Sequence, residues 1–284
     1  MNQPGLTVTC IGDSITEGKP GSSYVDLLRA QLHERMPGCR VINEGRGGDT
    51  VAAVLARIRS LDLGSRRGGG HATGNDRRDT AILQVGVNDV FVKVGPQFKL
   101  IKIALRQPWA RSHDEFAATF RELLDEVCSR FDQVIVVSIG LMGEEAANRF
   151  NREIDRLNRL IVDLVADQPR AVYVDALGAL RAAIGSASAA NQPKQGNTYG
   201  TRGPDLGPTD RADRTPRHGR RRPYLPTSAT RVLVDYALAT EPGRITRISR
   251  RRGLTVTLDG VHLNPVGAAI YADLLSTEVE RVRE

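Results

Sequence analysis

The sequence predicts an α/β domain in which a parallel five-stranded sheet lies between two layers of helices. The first observation is that short apolar runs, rich in β-branched residues, recur along the chain, at residues 6–11, 39–42, 80–85, 133–139 and 172–174. Such runs, bounded by turn residues, are typical of strands buried on both faces. The second observation is that segments with apolar residues at helical spacing separate these runs. Strands that alternate with helices predict a three-layer α/β/α sandwich.

Length and composition are compatible with one domain over residues 1–284. The 284 residues, 40% of them hydrophobic, suffice for one large core without a second domain. No apolar run is long enough to cross a bilayer, and the opening MNQPG lacks a secretion-signal pattern, so we expect a cytoplasmic protein. Cys10, Cys39 and Cys128 are far apart, which indicates reduced thiols rather than a disulfide framework or a zinc site.

The first predicted strand delivers a serine to the edge of the sheet. The strand ends at Gly12, and the stretch IGDSITEG continues with Asp13 and Ser14. Ligands of open α/β sheets gather beyond the carboxyl ends of the strands, so a serine held there can serve as a nucleophile. Asp and Ser are also common in turns and helix caps, and on this block alone that interpretation is the better one.

A strand–helix–strand unit follows this block. A helix is predicted over residues 24–36, and the strand at 39–42 closes a right-handed crossover. The stretch NEGRGGDT, residues 43–50, then lies at the carboxyl end of that strand. Its glycines allow the backbone to pass close to a ligand, although they also fit a flexible turn. Asp49 or Thr50 can cap the next helix, which starts near residue 51.

The middle of the chain contributes an asparagine to the same sheet edge. Residues 64–78 are rich in Gly and Arg, and we expect a disordered loop insertion there. The strand at 80–85 leads into GVND, in which the neutral amide of Asn88 can stabilise negative charge, although Asn-Asp is also common in turns. Residues 90–108 predict a lip over the site. Its candidate pocket-wall residues, which core packing explains at least as well, are Phe91, Phe98, Leu100, Ile101 and Trp109.

The second half of the chain combines regular elements with one long polar stretch. Helices are predicted over residues 116–130, 148–165 and 266–282, and shorter ones over 230–238 and 244–252. Residues 185–229 are dense in Gly, Pro, Ser, Thr and Arg and have few aliphatic side chains. Such a stretch buries too little apolar surface to offset the entropy of ordering it, so we expect a largely disordered loop insertion.

The stretch DGVHLN, residues 259–264, brings an acid and a base together. His262 stands three residues after Asp259. This spacing lets the carboxylate reach the imidazole Nδ1 within one turn, which leaves Nε2 to accept a proton. On this block alone, an Asp-Gly turn before a helix is the better interpretation. Asp175, at the end of the fifth strand, is interpreted as a structural residue because Asp259 is better placed relative to a histidine.

Four blocks together resemble the GDSL or SGNH hydrolases, a family of serine esterases and lipases with a flavodoxin-like fold. The blocks are GDS at 12–14, NEGRGGDT at 43–50, GVND at 86–89 and DGVHLN at 259–264, in the order of the family. Jointly they are specific, although each one alone is weak. The resemblance implies the flavodoxin-like variant of the three-layer sandwich, and a lip near residues 90–108 that shapes the acyl pocket.

The resemblance also implies a role for each site residue. Ser14 is the expected nucleophile, and Asp259 and His262 complete a catalytic triad. The oxyanion hole is expected to consist of the Ser14 N–H, the Gly48 N–H and the Asn88 amide. Asp13 is expected to support this site. Neither a cofactor nor a metal is implied.

We therefore predict a carboxylic ester hydrolase that acts on a small-molecule ester. Short acyl or acetyl esters are favoured, because no extended exposed apolar lid is apparent in the sequence. Two alternatives stay open: an acyltransferase that uses the same acyl-enzyme, and a basic anion-binding protein with a relict site. The net charge of +7 motivates the second alternative. The arginines of the chain cluster in loops without interleaved aromatic residues, so we expect no nucleic-acid partner.

Overall fold

The computed structural model describes residues 6–60, 79–190 and 242–283, and a parallel sheet forms the centre of the molecule. The strand order is β2-β1-β3-β4-β5, and every neighbouring pair is parallel. The strands are β1 (Thr7–Gly12), β2 (Arg40–Gly45), β3 (Asp79–Gln84), β4 (Gln133–Val137) and β5 (Ala171–Val174). The predicted five-stranded parallel sheet is confirmed, with small shifts of the strand ends.

Helices cover both faces of this sheet. Among the described residues they are α1 (Ser14–Glu17), α2 (Tyr24–Arg35), α3 (Val51–Ser60), α4 (Val87–Val94), α5 (Pro96–Ala104), α6 (His113–Arg130), α7 (Arg149–Ala166), α8 (Ala176–Ala190), α9 (Pro242–Arg252) and α10 (Pro265–Arg281). Helix α6 packs between α3 and α7, and α10 packs between α2 and α8. These two helix layers confirm the predicted three-layer sandwich. None of the helices in the described residues is long and apolar enough to span a bilayer.

Side-chain caps begin α6 and α7, two of the helices that the sequence predicts. Ser112 accepts the N–H of Glu115 at 3.0 Å, and this bond starts α6. Asn148 starts α7 in the same way by accepting the N–H groups of Phe150 and Asn151, each at 2.9 Å. These bonds satisfy N–H groups that have no partner within the helix. The local rules of capping thus position the helices that the apolar core then holds.

Residues 185–190 correct the prediction that a loop begins at 185. They form the last part of α8, and the preceding Ala183 and Ile184 pack against the main core. Alanine is the best helix former, so the Ala-rich continuation extends a helix that is already anchored. The short helix predicted over 244–252 is confirmed as α9. The predicted loops at 64–78 and 191–229 and the predicted helix at 230–238 lie outside the described residues.

Candidate active site

Ser14 stands at the carboxyl end of a central strand. It is the first residue of α1 and follows β1, which pairs with β2 on one side and β3 on the other. Asp13 caps α1, because its Oδ1 accepts the N–H of Ile15 at 3.0 Å. The strand and the capped turn therefore fix the serine from both sides. Its position at the sheet edge is the one predicted from the sequence.

A chain of hydrogen bonds links Ser14 to His262 and Asp259. The Ser14 Oγ lies 3.0 Å from His262 Nε2, and His262 Nδ1 lies 2.7 Å from Asp259 Oδ2. The second carboxylate oxygen of Asp259 accepts the N–H groups of Val261 at 3.0 Å and His262 at 2.8 Å. One carboxylate thus holds both the imidazole and the backbone of its turn. All three side chains of the Ser14–His262–Asp259 chain are buried.

The electrostatics of Asp259 favour its ionised form. Burial alone raises the pKa of a carboxyl group, but the His262 charge and the bonds from His262 and Val261 outweigh it and hold the Asp259 pKa below its usual value. An ionised Asp259 accepts a hydrogen bond from the N–H at His262 Nδ1, so this nitrogen keeps its proton. The Nε2 atom is then left as the acceptor for the Ser14 hydroxyl proton.

The loop after β2 presents a backbone N–H group beside this chain. Gly47 donates its N–H to Glu17 Oε2 at 2.7 Å. Gly48 has a φ of +82°, a backbone conformation that favours glycine, and its N–H has no acceptor within the described residues. Because Gly47 is occupied, Gly48 is the better candidate for an oxyanion donor. Gly48 is also the glycine that the family resemblance implies, and its role as an oxyanion donor stays a prediction.

Asn88 and Asp89 tie the start of α4 to the same loop. One N–H of the Asn88 amide donates to the Asp49 carbonyl at 2.9 Å. The Asp89 Oδ2 accepts the N–H of Val51 at 3.0 Å, at the start of α3. Asp49 itself bonds to Arg57, whose Nε lies 3.0 Å from its carboxylate. The carboxyl ends of β1, β2 and β3 are thus connected into one polar cluster.

The comparison with protein families agrees with this geometry. A model described as the GDSL-like lipase/acylhydrolase family matches residues 10–194, more than half of the chain. The chain belongs to this family. The GDSL-like hydrolase is therefore a carboxylic ester hydrolase, as the sequence predicts. Ser14, Gly48 and Asn88 lie within the matched residues, whereas Asp259 and His262 lie beyond them.

Solved structures show the same fold. Axe2, an acetylxylan esterase from Geobacillus stearothermophilus, superposes with a TM-score of 0.56 at 19% identity and covers 98% of this chain and 96% of its own. LAE5, an alpha/beta hydrolase enzyme from the metagenome of Lake Arreo, has a TM-score of 0.55 at 19% identity and covers 96% of this chain and 94% of its own. No curated protein matches the chain significantly. At these identities the two structures support the fold of the GDSL-like hydrolase.

A single carboxylate anchors the segment that leads into the turn with Asp259 and His262. Glu144, in the loop after β4, accepts the N–H of Thr255 on Oε2 at 2.7 Å. Its Oε1 accepts the N–H of Val256 at 2.9 Å and both the N–H at 2.9 Å and the hydroxyl at 2.8 Å of Thr257. Within the described residues, the segment 254–258 before DGVHLN forms one isolated bridge, between Thr257 and Leu263. Glu144 supplies what a neighbouring strand would otherwise supply.

Two further carboxyl groups of the hydrolase are buried near the nucleophile. Burial raises the pKa of Asp13 to about 7, against the hydrogen bond from Ile15 and the charge of His262. Burial also raises the pKa of Asp89 to about 7, against the bond from Val51 and the charge of Lys102. One oxygen of each group, Asp13 Oδ2 and Asp89 Oδ1, has no hydrogen-bond partner in the described chain. Both groups therefore exchange a proton near neutral pH.

The predicted lip is helical, and its residues divide between core and surface. Phe91 is buried and packs on Phe98, with ring centroids 4.5 Å apart. In contrast, four large aliphatic side chains of α5 and the residue after it are exposed, with relative exposures of 67% for Leu100, 38% for Ile101, 51% for Ile103 and 66% for Leu105. The sequence analysis found no extended exposed apolar lid, and it did not predict these exposed aliphatic side chains.

Three supporting side chains were missed by the sequence analysis. Glu17 lies inside the first block and was available as a candidate. Lys102, inside the apolar run KLIKIAL, is a cation at a helical position next to aliphatic residues, which was its only signal. Glu144 had no local signal.

Asp175, interpreted as structural, accepts the N–H of Gly178 at 2.9 Å in the first turn of α8. No group of three or more potential metal ligands occurs in the described residues.

Proposed function

We propose that this protein hydrolyses small carboxylic esters through an acyl-enzyme on Ser14. The observation that carries this proposal is the hydrogen-bond chain from Ser14 Oγ to His262 Nε2 at 3.0 Å and from His262 Nδ1 to Asp259 at 2.7 Å. Nucleophile, base and orienting acid are the three parts that activate a serine hydroxyl. Membership of the GDSL-like family supports the reaction type.

In the first half-reaction, Ser14 Oγ attacks the carbonyl carbon while His262 Nε2 takes the hydroxyl proton. The tetrahedral oxyanion accepts hydrogen bonds from the N–H groups of Ser14 and Gly48 and from the second N–H of the Asn88 amide. The bond to the leaving alkoxide then breaks, and His262 protonates that oxygen. The products of this half-reaction are an alcohol and an acyl ester on Ser14.

In the second half-reaction, water resolves the acyl-enzyme. His262 removes a proton from the water, whose oxygen attacks the acyl carbon. The Ser14 oxygen leaves and takes the proton back from His262, so a carboxylic acid is released and the free enzyme is restored. Asp259 stabilises the imidazolium in both halves, and its depressed pKa suits that role. Asp13 supports the site by capping the turn that holds Ser14.

We further propose that short acyl or acetyl esters are the substrates. The name of Axe2, an acetylxylan esterase with the same fold, supports this choice. The exposed aliphatic residues of α5 offer an apolar surface that a longer acyl chain could cover, so the acyl length needs a direct test. Cytoplasmic location and the absence of a nucleic-acid partner stay predictions from the sequence.

The test is hydrolysis of p-nitrophenyl acetate, butyrate and octanoate by the wild type, Ser14→Ala and Ser22→Ala. Ser22→Ala is a matched control, because the Ser22 hydroxyl has no hydrogen-bond partner in the described chain. We expect Ser14→Ala to lose roughly 10³-fold or more in kcat and Ser22→Ala to keep its activity. Residual activity of Ser14→Ala within tenfold of wild type would exclude the nucleophile. A maximum at octanoate would refute the short-acyl proposal alone.

A further inference from the structure

Helix α5 contains one buried cation among exposed neighbours. The Lys102 side chain is 7% exposed, whereas Lys99 on the same helix is exposed. Lysine is almost never buried unless its ammonium group finds partners, because removing the charge from water is costly. The position of Lys102 therefore implies specific contacts that offset this cost.

Lys102 has two hydrogen-bond partners, one in the loop after β2 and one just beyond the end of α5. Its Nζ donates to the carbonyl oxygen of Gly48 and, at 2.6 Å, to Oε1 of Gln107. Burial lowers the Lys102 pKa, and the charges of Asp89, Asp49 and Asp13 oppose that shift. The ammonium group thus contacts the loop after β2 at Gly48, and the acidic groups of that region favour its charged form.

The bond from Lys102 restricts the backbone at Gly48, whose conformation favours glycine. Gly48 has a φ of +82°, and a Cβ built on it would lie 3.6 Å from Lys102 Nζ. The next carbonyl, that of Asp49, is held by the Asn88 amide at 2.9 Å. With the Gly48 carbonyl fixed by Lys102 and the Asp49 carbonyl fixed by Asn88, the peptide planes on both sides of Asp49 have a set orientation.

A second bond joins the same two segments. The Thr50 hydroxyl donates to the Pro108 carbonyl at 2.5 Å. Residues 102–108 are therefore bound to residues 48–50 at two points, one from a side chain of each segment. Lys102 provides the bond nearest to Gly48, and it comes from a helix that otherwise exposes aliphatic residues to solvent.

We propose that Lys102 is a positioning residue for the oxyanion hole: its bond to the Gly48 carbonyl fixes the peptide that follows Gly48, and this restricts the orientation of the Gly48 N–H, on the other side of the same Cα, toward the tetrahedral oxyanion. This inference rests on the proposed function, in which Gly48 is an oxyanion donor. Lys102 acts through the loop and does not touch the substrate. Its loss affects the transition state, where charge develops on the oxygen, more than it affects substrate binding.

The experiment compares Lys102→Met with the wild type and with Lys99→Met, a matched control that removes an exposed charge from the same helix. The readouts are kcat and KM for p-nitrophenyl acetate, and the inhibition constant of a trifluoromethyl ketone, which forms a tetrahedral adduct with the serine. We expect Lys102→Met to lose roughly 10 to 100-fold in kcat, since a misplaced donor costs somewhat less than a deleted one. KM should stay within about threefold, and the ketone should bind more weakly by a factor similar to the loss in kcat.

Two further variants keep the proposal testable. Lys102→Arg retains the charge and donors and should recover most of the lost kcat, which a purely packing role would not predict. If Lys102→Met does not fold, Gln107→Met decides, because it removes an acceptor that orients Nζ and keeps the buried charge. It should lower kcat by a few-fold at constant KM, and an unchanged kcat would overturn the proposal.

The failure of this inference differs from the failure of the proposed function. Lys102→Met that folds and keeps wild-type kcat and ketone affinity overturns the positioning role, even if Ser14→Ala is inactive. A loss of stability in urea with kcat and ketone affinity unchanged assigns Lys102 a structural role and also overturns it. In contrast, an active Ser14→Ala refutes the acyl-enzyme mechanism whatever the Lys102 variants do.

Discussion

Replacing Glu144 by glutamine tests how the turn with Asp259 and His262 is held. The Glu144 carboxylate accepts four hydrogen bonds, three from the N–H groups of residues 255–257 and one from the Thr257 hydroxyl, over 2.7–2.9 Å. Glutamine keeps one acceptor oxygen, which can replace Oε1 and its three bonds. Its NH₂ group then faces the N–H of Thr255, so one bond is lost and two donors oppose each other.

The magnitude follows from the type of bond. A hydrogen bond to a charged group contributes roughly 1.5–3 kcal/mol, against about 0.5–1.5 kcal/mol for a neutral one. Losing one such bond and weakening three others is expected to lower the free energy of unfolding by about 2–4 kcal/mol. For a protein of this size that corresponds to a fall in Tm of roughly 5–15 °C. Because the loosened segment leads into Asp259, kcat should fall several-fold while KM changes little.

The assay is urea unfolding followed by circular dichroism, with kcat and KM measured on the same preparations. Glu145→Gln is the matched control, because Glu145 is exposed and its side chain accepts none of these bonds. If Glu144→Gln unfolds within about 0.5 kcal/mol of the wild type, in the range of ordinary surface substitutions, the reasoning about this carboxylate is wrong. A loss of stability with full kcat would show that Glu144 stabilises the fold without orienting the base.

Three other predictions concern the remaining polar groups. Asn88→Ala should lower kcat roughly 10²-fold or more, a loss typical of one oxyanion donor, and an effect confined to KM would mean that Asn88 only binds substrate. Asp259→Asn should lower kcat/KM by up to about 10⁴-fold, because the amide permits the wrong tautomer of His262. Asp175→Asn should affect activity only through stability. If Asp175→Asn loses more activity than Asp259→Asn in the same esterase assay, the acid is misassigned. Asp89→Asn should flatten the dependence of stability on pH. The pKa of Asp89 is about 7 in the folded protein, whereas that of an ordinary aspartate is near 3.8. Between these pH values the folded state therefore binds more protons than the unfolded state. The wild type loses stability as pH rises through this range, by up to roughly 4 kcal/mol. Urea unfolding at several pH values between 4 and 8 measures this slope, and an unchanged slope in Asp89→Asn contradicts the raised pKa.

The fold and the candidate site were largely accessible from sequence because they follow local rules. Ser14, Gly48 and Asn88 each come shortly after a strand, and the three strands are neighbours in one parallel sheet. Parallel strands bring their carboxyl ends to one edge, so residues distant in sequence converge there. His262 was accessible because its partner Asp259 is only three residues away. The strand pattern was sufficient to place these residues at one sheet edge, whereas their proposed roles came from the resemblance of the four blocks to the GDSL or SGNH hydrolases.

The supporting side chains were not accessible in this way, because their partners are set by packing. Lys102 lies 54 residues from Gly48 in the sequence, and Glu144 lies 111 to 113 residues from the residues whose N–H groups donate to it. A lysine on an amphipathic helix usually keeps its charged end in water. Nothing in the local sequence distinguishes such a residue from one whose charge is buried. Only the packing of α5 on the loop after β2 reveals the difference.

The start of the polar stretch was misjudged because composition was averaged over too many residues. Residues 185–229 are poor in aliphatic side chains as a whole. Residues 185–190 nevertheless continue a helix whose preceding turn, with Ala183 and Ile184, contacts the core. A helix that is already nucleated extends at little cost through residues of high propensity. The end of an anchored helix therefore extends past the point where composition changes.

The distance along the chain between nucleophile and base determines when this enzyme becomes active. Ser14 and His262 are 248 residues apart, yet they meet because the loop after α1 docks on the turn that carries His262: the N–H of Ser22 donates to the Leu263 carbonyl at 2.8 Å. During synthesis the segment with Ser14 leaves the ribosome 248 residues before His262. A nascent chain that stops before residue 259 has Ser14 without its proposed base. Under the proposed function, the appearance of esterase turnover during translation or refolding therefore times the docking of residues 259–263 on the loop after α1.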